Sequence, residues 1–198
     1  MSYYKEHAKD FIDNTFNCDM STQYCFFEKH LNKKGTILDV GFGSGRDSLY
    51  FKSKGYDVYS IDPEEEFVLH AKELGLKKAY KTRVEDIDFV NKFDGIWACA
   101  SLLHIPSSEL AAVFKKLDVA LKDKGILYVS FKYGDYEGIR NGRFFLDLNE
   151  EKIATFIKDT NLMIKEILIT KDVRSEKEEK WLNVIMIKNS FESKCRCK

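Results

Sequence analysis

The chain has 198 residues, and its 32 lysines and arginines balance 32 aspartates and glutamates. That length suits one domain with a sizeable core, and the neutral balance excludes a surface that binds nucleic acid by bulk charge alone. No apolar stretch approaches the roughly 20 residues that span a bilayer, and the amino terminus lacks a signal-peptide core, so a cytoplasmic protein with no membrane attachment is expected. The five cysteines have no regular spacing and suit a reducing compartment, and only two prolines interrupt the chain. A single domain over residues 1–198 is therefore expected. Its first predicted element is an amphipathic helix from about Ser2 to Asn14, with Tyr4, Ala8, Phe11 and Ile12 on one side. A second helix is expected to be capped by Ser21 and to turn Tyr24, Phe27 and Leu31 toward the core.

Thr36 to Val40 is a short apolar run typical of a buried parallel strand, and it stops at a loop carrying Gly41, Gly43 and Gly45. Glycines at alternate positions permit positive φ and bring backbone N–H groups close to a ligand. A dinucleotide fingerprint would place its third glycine three residues after the second, where this chain has Arg46. Asp39, just before the loop, would repel a pyrophosphate but can accept hydrogen bonds from an ammonium. A zwitterionic ligand is expected rather than a polyanion. A helix from Arg46 to Lys54 ends at Gly55, and the strand Asp57 to Ile61 ends at Asp62. An acidic side chain there can accept from both hydroxyls of a ribose, or it can cap the helix that Pro63 begins.

Asp39 followed by Gly41, Gly43 and Gly45 resembles the first motif of the class I S-adenosylmethionine-dependent methyltransferases. The resemblance implies an α/β fold: a single doubly wound, Rossmann-like sheet of seven strands, mostly parallel with an antiparallel last strand, and helices on both faces. It implies S-adenosylmethionine as cofactor, a helical lid over residues 1–33, a cofactor-binding core over 34–188 and a tail over 189–198. In such enzymes leading helices lie over the cofactor and close the substrate pocket, so Tyr4 is a candidate to reach the cofactor's carboxylate or the substrate, or else it packs on the sheet edge. An acidic residue in the segment RVEDIDF takes the adenine amino group, and Glu85 and Asp86 both fit. The glycine loop followed by Arg46 and Asp47 looks most like stand-alone bacterial small-molecule methyltransferases, including those of tellurite resistance and quinone biosynthesis.

Downstream, the helix from Pro63 ends at Leu74, Lys78 to Lys81 forms a third strand and Phe93 to Ala100 a fourth, apolar throughout and hence central. The end of this fourth strand, around Ala98 and Leu102, is expected beside the glycine loop, because ligands bind where strand order reverses. Ser107 or Ser108 is expected to cap a helix over Glu109 to Leu121, followed by a fifth strand, Ile126 to Phe131. A helix from Asn149 to Thr160 and strands Leu162 to Thr170 and Trp181 to Lys188 complete the reading.

Methyl transfer from a sulfonium chiefly requires alignment of acceptor, methyl carbon and sulfur with water excluded. His104 is the candidate base where the acceptor is protonated, with a packed histidine as the alternative. Lys132 to Phe145 is too long for a minimal connection and reads as a lid loop. Within it Tyr133, Arg140 and Arg143, joined by Arg174, are candidates to hold an anionic substrate, or else they pair with nearby acids on the surface. Cys99 reads as a pocket wall, because the Pro-Cys pair of cytosine-C5 methyltransferases is absent. Cys195 and Cys197 lack further ligands nearby, so no metal is expected. A small-molecule acceptor is favoured over nucleic acid, and a monomer or homodimer is expected. An RNA nucleotide held by Arg140, Arg143 and Lys132, and a non-catalytic cofactor-binding partner protein, are the alternatives.

Overall fold

A computed structural model describes residues 3–31, 35–174 and 178–190, with side chains from His7 onward. Helices α1 (Tyr3–Thr15) and α2 (Ser21–Glu28) lead into β1 (Thr36–Val40). Then come α3 (Arg46–Ser53), β2 (Asp57–Asp62), α4 (Glu65–Glu73), β3 (Ala79–Lys81), β4 (Phe93–Ala98), α5 (Ser107–Ala120) and β5 (Leu121–Lys132). The chain continues through β6 (Glu137–Arg140), β7 (Arg143–Leu146), α6 (Glu150–Phe156), β8 (Leu162–Lys171) and β9 (Lys180–Lys188).

Seven strands form one sheet in the order β3-β2-β1-β4-β5-β9-β8, and β6 pairs only with β7. β1 runs parallel to β2 and β4, β4 runs parallel to β5, and β9 is antiparallel to both β5 and β8. The doubly wound sheet expected from the sequence is therefore present. Its order reverses between β1 and β4, which opens a crevice at their carboxyl ends.

Both faces of the sheet are covered, which is why β1 and β4 read as continuous apolar runs. On one face Trp97 and Tyr128, register partners on β4 and β5, stack with ring centroids 4.0 Å apart. Phe27 from α2 and Phe51 from α3 pack against Trp97 at 5.3 Å each. Leu110, Phe114 and Leu117 of α5 share the other core with Leu38, Ile96 and Leu127 of the sheet. No helix among the described residues is long and apolar enough to cross a membrane.

Four local expectations need correction. Among its described residues the leader is not one lid: Met20, Tyr24, Phe26 and Phe27 seal α2 into the core, while Phe11 of α1 lies over the glycine loop. Ser21 does not cap α2: it is the first residue of the helix, Met20 holds the cap position without a side-chain bond, and Ser21 N–H donates to Asp19 Oδ1 at 2.9 Å. Neither Ser107 nor Ser108 caps α5; Pro106 holds the cap position, and Glu137 of the hairpin accepts from Ser107 N at 2.9 Å. The supposed lid loop is a hairpin, turned by Asn141 and Gly142 at φ +50 and +76. Positive φ at both central residues is the signature of a type I′ turn.

Candidate active site

The loop after β1 takes positive φ at Gly41, Gly43 and Gly45, of +68, +51 and +80. Two of these positions are also crowded. A β-carbon on Gly41 would lie 2.5 Å from Ser101 Cβ, and one on Gly43 would lie 2.8 Å from the Phe11 ring. The loop is thus wedged between the segment after β4 and helix α1, with no room for side chains. Asp62, at the end of β2, accepts hydrogen bonds from Gly43 N at 3.1 Å and Glu64 N at 3.0 Å. Burial pushes its carboxyl up to about 6 in spite of those two donors. Asp62 does not cap the helix as an alternative to facing a ligand: α4 begins at Glu65 rather than Pro63, its cap residue Glu64 has no side-chain bond, and Asp62 ties the turn before it while lining a cavity.

Two cavities flank the glycine loop. The first is lined by Asp62, Pro63, Thr82, Glu85, Ser101 and Leu102, among others. The second runs from Arg46 and Asp47 past Gln23 and Ser130 to Lys132, Arg143, Phe145, Arg174 and Trp181. Phe11, Gly41, Gly43, Ala100 and His104 border both. Ala100 takes φ +51 and donates its N–H to Ser130 Oγ at 2.8 Å, so the chain is strained where the cavities meet.

The predicted residues divide cleanly. Glu85 lines the first cavity, half-buried and ion-paired with Arg83 at 2.6 Å, whereas Asp86 is exposed and lines neither cavity. Ala98 is buried in the strand, and Ala100 and Ser101 take the wall position expected of it. Asp39 is sealed behind the loop, where Ser48 Oγ donates to it at 2.6 Å and Ser60 Oγ lies 2.7 Å from Ser48 Oγ. Burial, reinforced by the charge of Asp47, holds its carboxyl well above the usual carboxylate range. Asp39 forms no part of either cavity wall. Gly45 begins α3 from outside the cavity walls. Tyr4 belongs to α1, but its side chain lies outside the described residues, as do Cys195 and Cys197.

Arg46 and Asp47 do line the second cavity, locked to each other by Nε and Nη2 bonds of 2.6 and 3.0 Å. Asp47 also accepts from Tyr24 Oη at 2.6 Å and Trp97 Nε1 at 2.9 Å. The remaining arm of Arg46 donates to Thr15 O, the last residue of α1, at 3.0 Å. One ion pair thereby joins both leader helices to the sheet.

At the far end of this cavity the Phe145 ring is a hub. His104 meets it edge-on at 5.0 Å, and the cations of Lys132 and Arg143 lie 4.9 and 5.1 Å from its centroid. His104 Nδ1 is 2.7 Å from the Phe144 carbonyl, which can only accept, so Nδ1 carries the proton. Burial lowers the pKa of His104, and the nearby Arg143 and Lys132 charges lower it further against the bond to Phe144. A neutral ring with its acceptor lone pair on Nε2 results. Arg174 also lines the cavity, held in place by Asp172 through bonds of 2.8 and 2.7 Å. Although burial pushes the Asp172 carboxyl up, hydrogen bonds from Arg174 and Trp181 prevail and hold it at about 2. Arg140 is not at the cavity wall: it grips Asp147 with two bonds of 3.0 and 2.7 Å and stacks on Tyr136 at 3.8 Å. Tyr133 is exposed and donates to Glu150 at 3.0 Å, away from both cavities. Cys99 is a wall residue, and burial raises its thiol to about 12, far from a nucleophilic thiolate.

Sequence reasoning missed Phe11, Gln23, Ser101, Ser130 and Trp181, which reach the cavities from separate elements. No local pattern announces them. Ser101 Oγ and Gln23 Oε1 are buried with no hydrogen-bond partner, one in each cavity. Such orphaned polar atoms, with a loop in which only glycine fits, are the features of a cradle built for a polar ligand.

Residues 37–125 match the sequence model of a family described as a methyltransferase domain. A relative from Staphylococcus carnosus, named as an uncharacterized methyltransferase, is 26% identical over 162 residues, covering 77% of this chain and 78% of that protein. Among solved structures, a Burkholderia thailandensis 1,6-didemethyltoxoflavin-N1-methyltransferase with bound 1,6-didemethyltoxoflavin and S-adenosylhomocysteine superposes with a TM-score of 0.78. It is 20% identical, and the match covers 94% of this chain and 84% of that one. A Methanosarcina mazei S-adenosylmethionine-dependent methyltransferase gives a TM-score of 0.74 at 18% identity, covering 84% and 98%.

Proposed function

We propose that the chain is a class I S-adenosylmethionine-dependent methyltransferase that methylates a small anionic acceptor held in the second cavity, a reading supported by the methyltransferase-domain match over residues 37–125. The observation that carries this reading is charge: five cationic side chains (Arg46, Lys132, Arg143, Lys171 and Arg174) line that cavity against two carboxylates, Asp47 and Asp172. Arg46, Arg174 and Lys132 pair with Asp47, Asp172 and Glu179, and the wall they build with Arg143 and Lys171 presents guanidinium and ammonium groups to which an anionic acceptor could bind. The cavity's aromatic walls, Phe145 and Trp181, suit a planar body.

The first cavity has the groups an adenosine needs. Asp62 would accept from the ribose hydroxyls and Glu85 from the adenine amino group, with Leu102 and Pro63 as apolar walls. The cofactor's amino-acid end would extend past Gly41 and Gly43 toward Arg46. When bound, the sulfonium supplies an electrophilic methyl group to an acceptor aligned opposite the sulfur. His104 stands at the junction of the cavities and would take a proton from an acceptor N–H or O–H through Nε2, while Nδ1 stays fixed by Phe144. Arg143 and Arg174 would fix the acceptor's charge, and α1 with Phe11 would exclude water.

A screen of small carboxylate and phenolate acceptors, read as methylated product by mass spectrometry, tests the reading. With the best acceptor, Arg143→Ala should raise the acceptor KM about tenfold or more with cofactor affinity nearly unchanged. His104→Ala should lower kcat by about a hundredfold or more. Turnover only with neutral or cationic acceptors would refute the anionic assignment.

A further inference from the structure

We infer that Gln23, on helix α2, accepts a hydrogen bond from the α-ammonium group of S-adenosylmethionine, a role that the acidic residue before the glycine loop does not fill in this chain. The inference rests on the cofactor reading above. Asp39, the carboxylate expected to meet the ammonium, is 2% exposed, spends an oxygen on Ser48 and forms no part of either cavity wall. Gln23 has the opposite circumstances. It is 5% exposed, its Oε1 has no hydrogen-bond partner, and it lines the same cavity as Gly41, Gly43 and Arg46.

A buried amide oxygen without a donor is destabilising, so a protein that keeps one has a use for it. The cavity around Gln23 is rich in cationic side chains, but Arg46 turns three of its five N–H groups to Asp47 and Thr15 O and makes no bond to Gln23. A bound ligand would supply the donor that Oε1 lacks. An ammonium with three N–H groups is the part of the cofactor that lacks an anionic partner here, and Asp47 already accepts from Arg46, Tyr24 and Trp97. Helix α2 can hold Gln23 to this position because its neighbours Tyr24 and Phe27 are locked in the core, Tyr24 by its bond to Asp47 and a 3.7 Å stack on Tyr50. The leader thus completes the amino-acid end of the cofactor site as well as covering it.

Calorimetric titration of Gln23→Leu, a substitution of similar size, with S-adenosylhomocysteine and with 5′-methylthioadenosine tests this. The two ligands share the adenosine and thioether, and only the first carries the amino acid. Loss of about tenfold to a hundredfold in affinity for S-adenosylhomocysteine, with methylthioadenosine binding unchanged, is the expected result. Gln23→Glu should retain binding, because an acceptor oxygen remains, and its loss there would show that the amide donates instead and overturn the inference. Equal weakening of both ligands by Gln23→Leu, or no weakening of either, would also overturn it. Failure of the unsubstituted chain to bind either ligand would instead remove the cofactor reading, and this inference with it.

Discussion

Single side chains in this protein are tuned by what covers them. Asp62 illustrates the point, because burial raises its carboxyl to about 6 from an ordinary 3.8. A carboxyl raised on folding favours the folded state at low pH. That contribution is complete below about 3.8 and is lost as pH rises through about 6, where the buried group must ionise. On the proposed reading cofactor binding runs the other way: ribose hydroxyls would donate to the carboxylate, so affinity should be full above about pH 6 and fall by up to about tenfold for each unit below it. Titrations of the unsubstituted chain and Asp62→Asn across pH 5 to 8 check this, since the variant should be weaker and flat. An unsubstituted profile as flat as the variant's would show that Asp62 does not meet the ligand as an anion. Sequence made Asp62 legible because the end of the second strand is a fixed place in such sheets. It could not show that Asp39 is walled off by Ser48, which lies nine residues away and meets it only after α3 folds back.

Elements decide which of those residues reach the site. The two leader helices look alike in sequence and do different work. α2 gives Phe27 to a fully buried aromatic cluster with Phe51, Trp97 and Tyr128, while α1 rests Phe11 on Gly43 and, at 5.4 Å, on Phe67 of α4. Phe27→Ala should therefore lower unfolding stability by about 3–5 kcal/mol, the range for large-to-small aromatic truncation in a core. Phe11→Ala should cost far less stability, about 1 kcal/mol, yet weaken cofactor binding. Denaturant unfolding and calorimetry on the two variants separate these outcomes, and similar stability losses would mean that α1 is as structural as α2. The hairpin β6–β7 shows what a sequence reading can overlook. Asn141-Gly142 between alternating residues is a strong hairpin signal, yet the length and polarity of the stretch suggested an irregular lid. Once the hairpin forms, Arg140 and Arg143 are register partners with separate fates. The nearby buried Asp147 captures Arg140, whereas Arg143 lines the cavity wall. Neighbouring arginines in sequence do not reveal that division, because it depends on a carboxylate that only the folded hairpin brings within reach.

Across the whole molecule, the parts fixed by periodicity and by glycine punctuation were readable: the sheet, its antiparallel finish and the crevice beside β1 and β4. The second cavity was readable only in part, because its walls come from α1, α2, the ends of β4 and β5, the hairpin and the turn before β9. No spacing rule links elements so far apart in the chain. The central claim is that these walls enclose one site for S-adenosylmethionine and its acceptor. Isothermal titration with S-adenosylmethionine and, separately, with NAD, on the unsubstituted chain and on Asp62→Ala, tests that claim most directly. Micromolar binding of the sulfonium alone, weakened about tenfold or more by the substitution, is the predicted result. Preference for NAD, or binding of the sulfonium that Asp62→Ala leaves unchanged, would contradict the account.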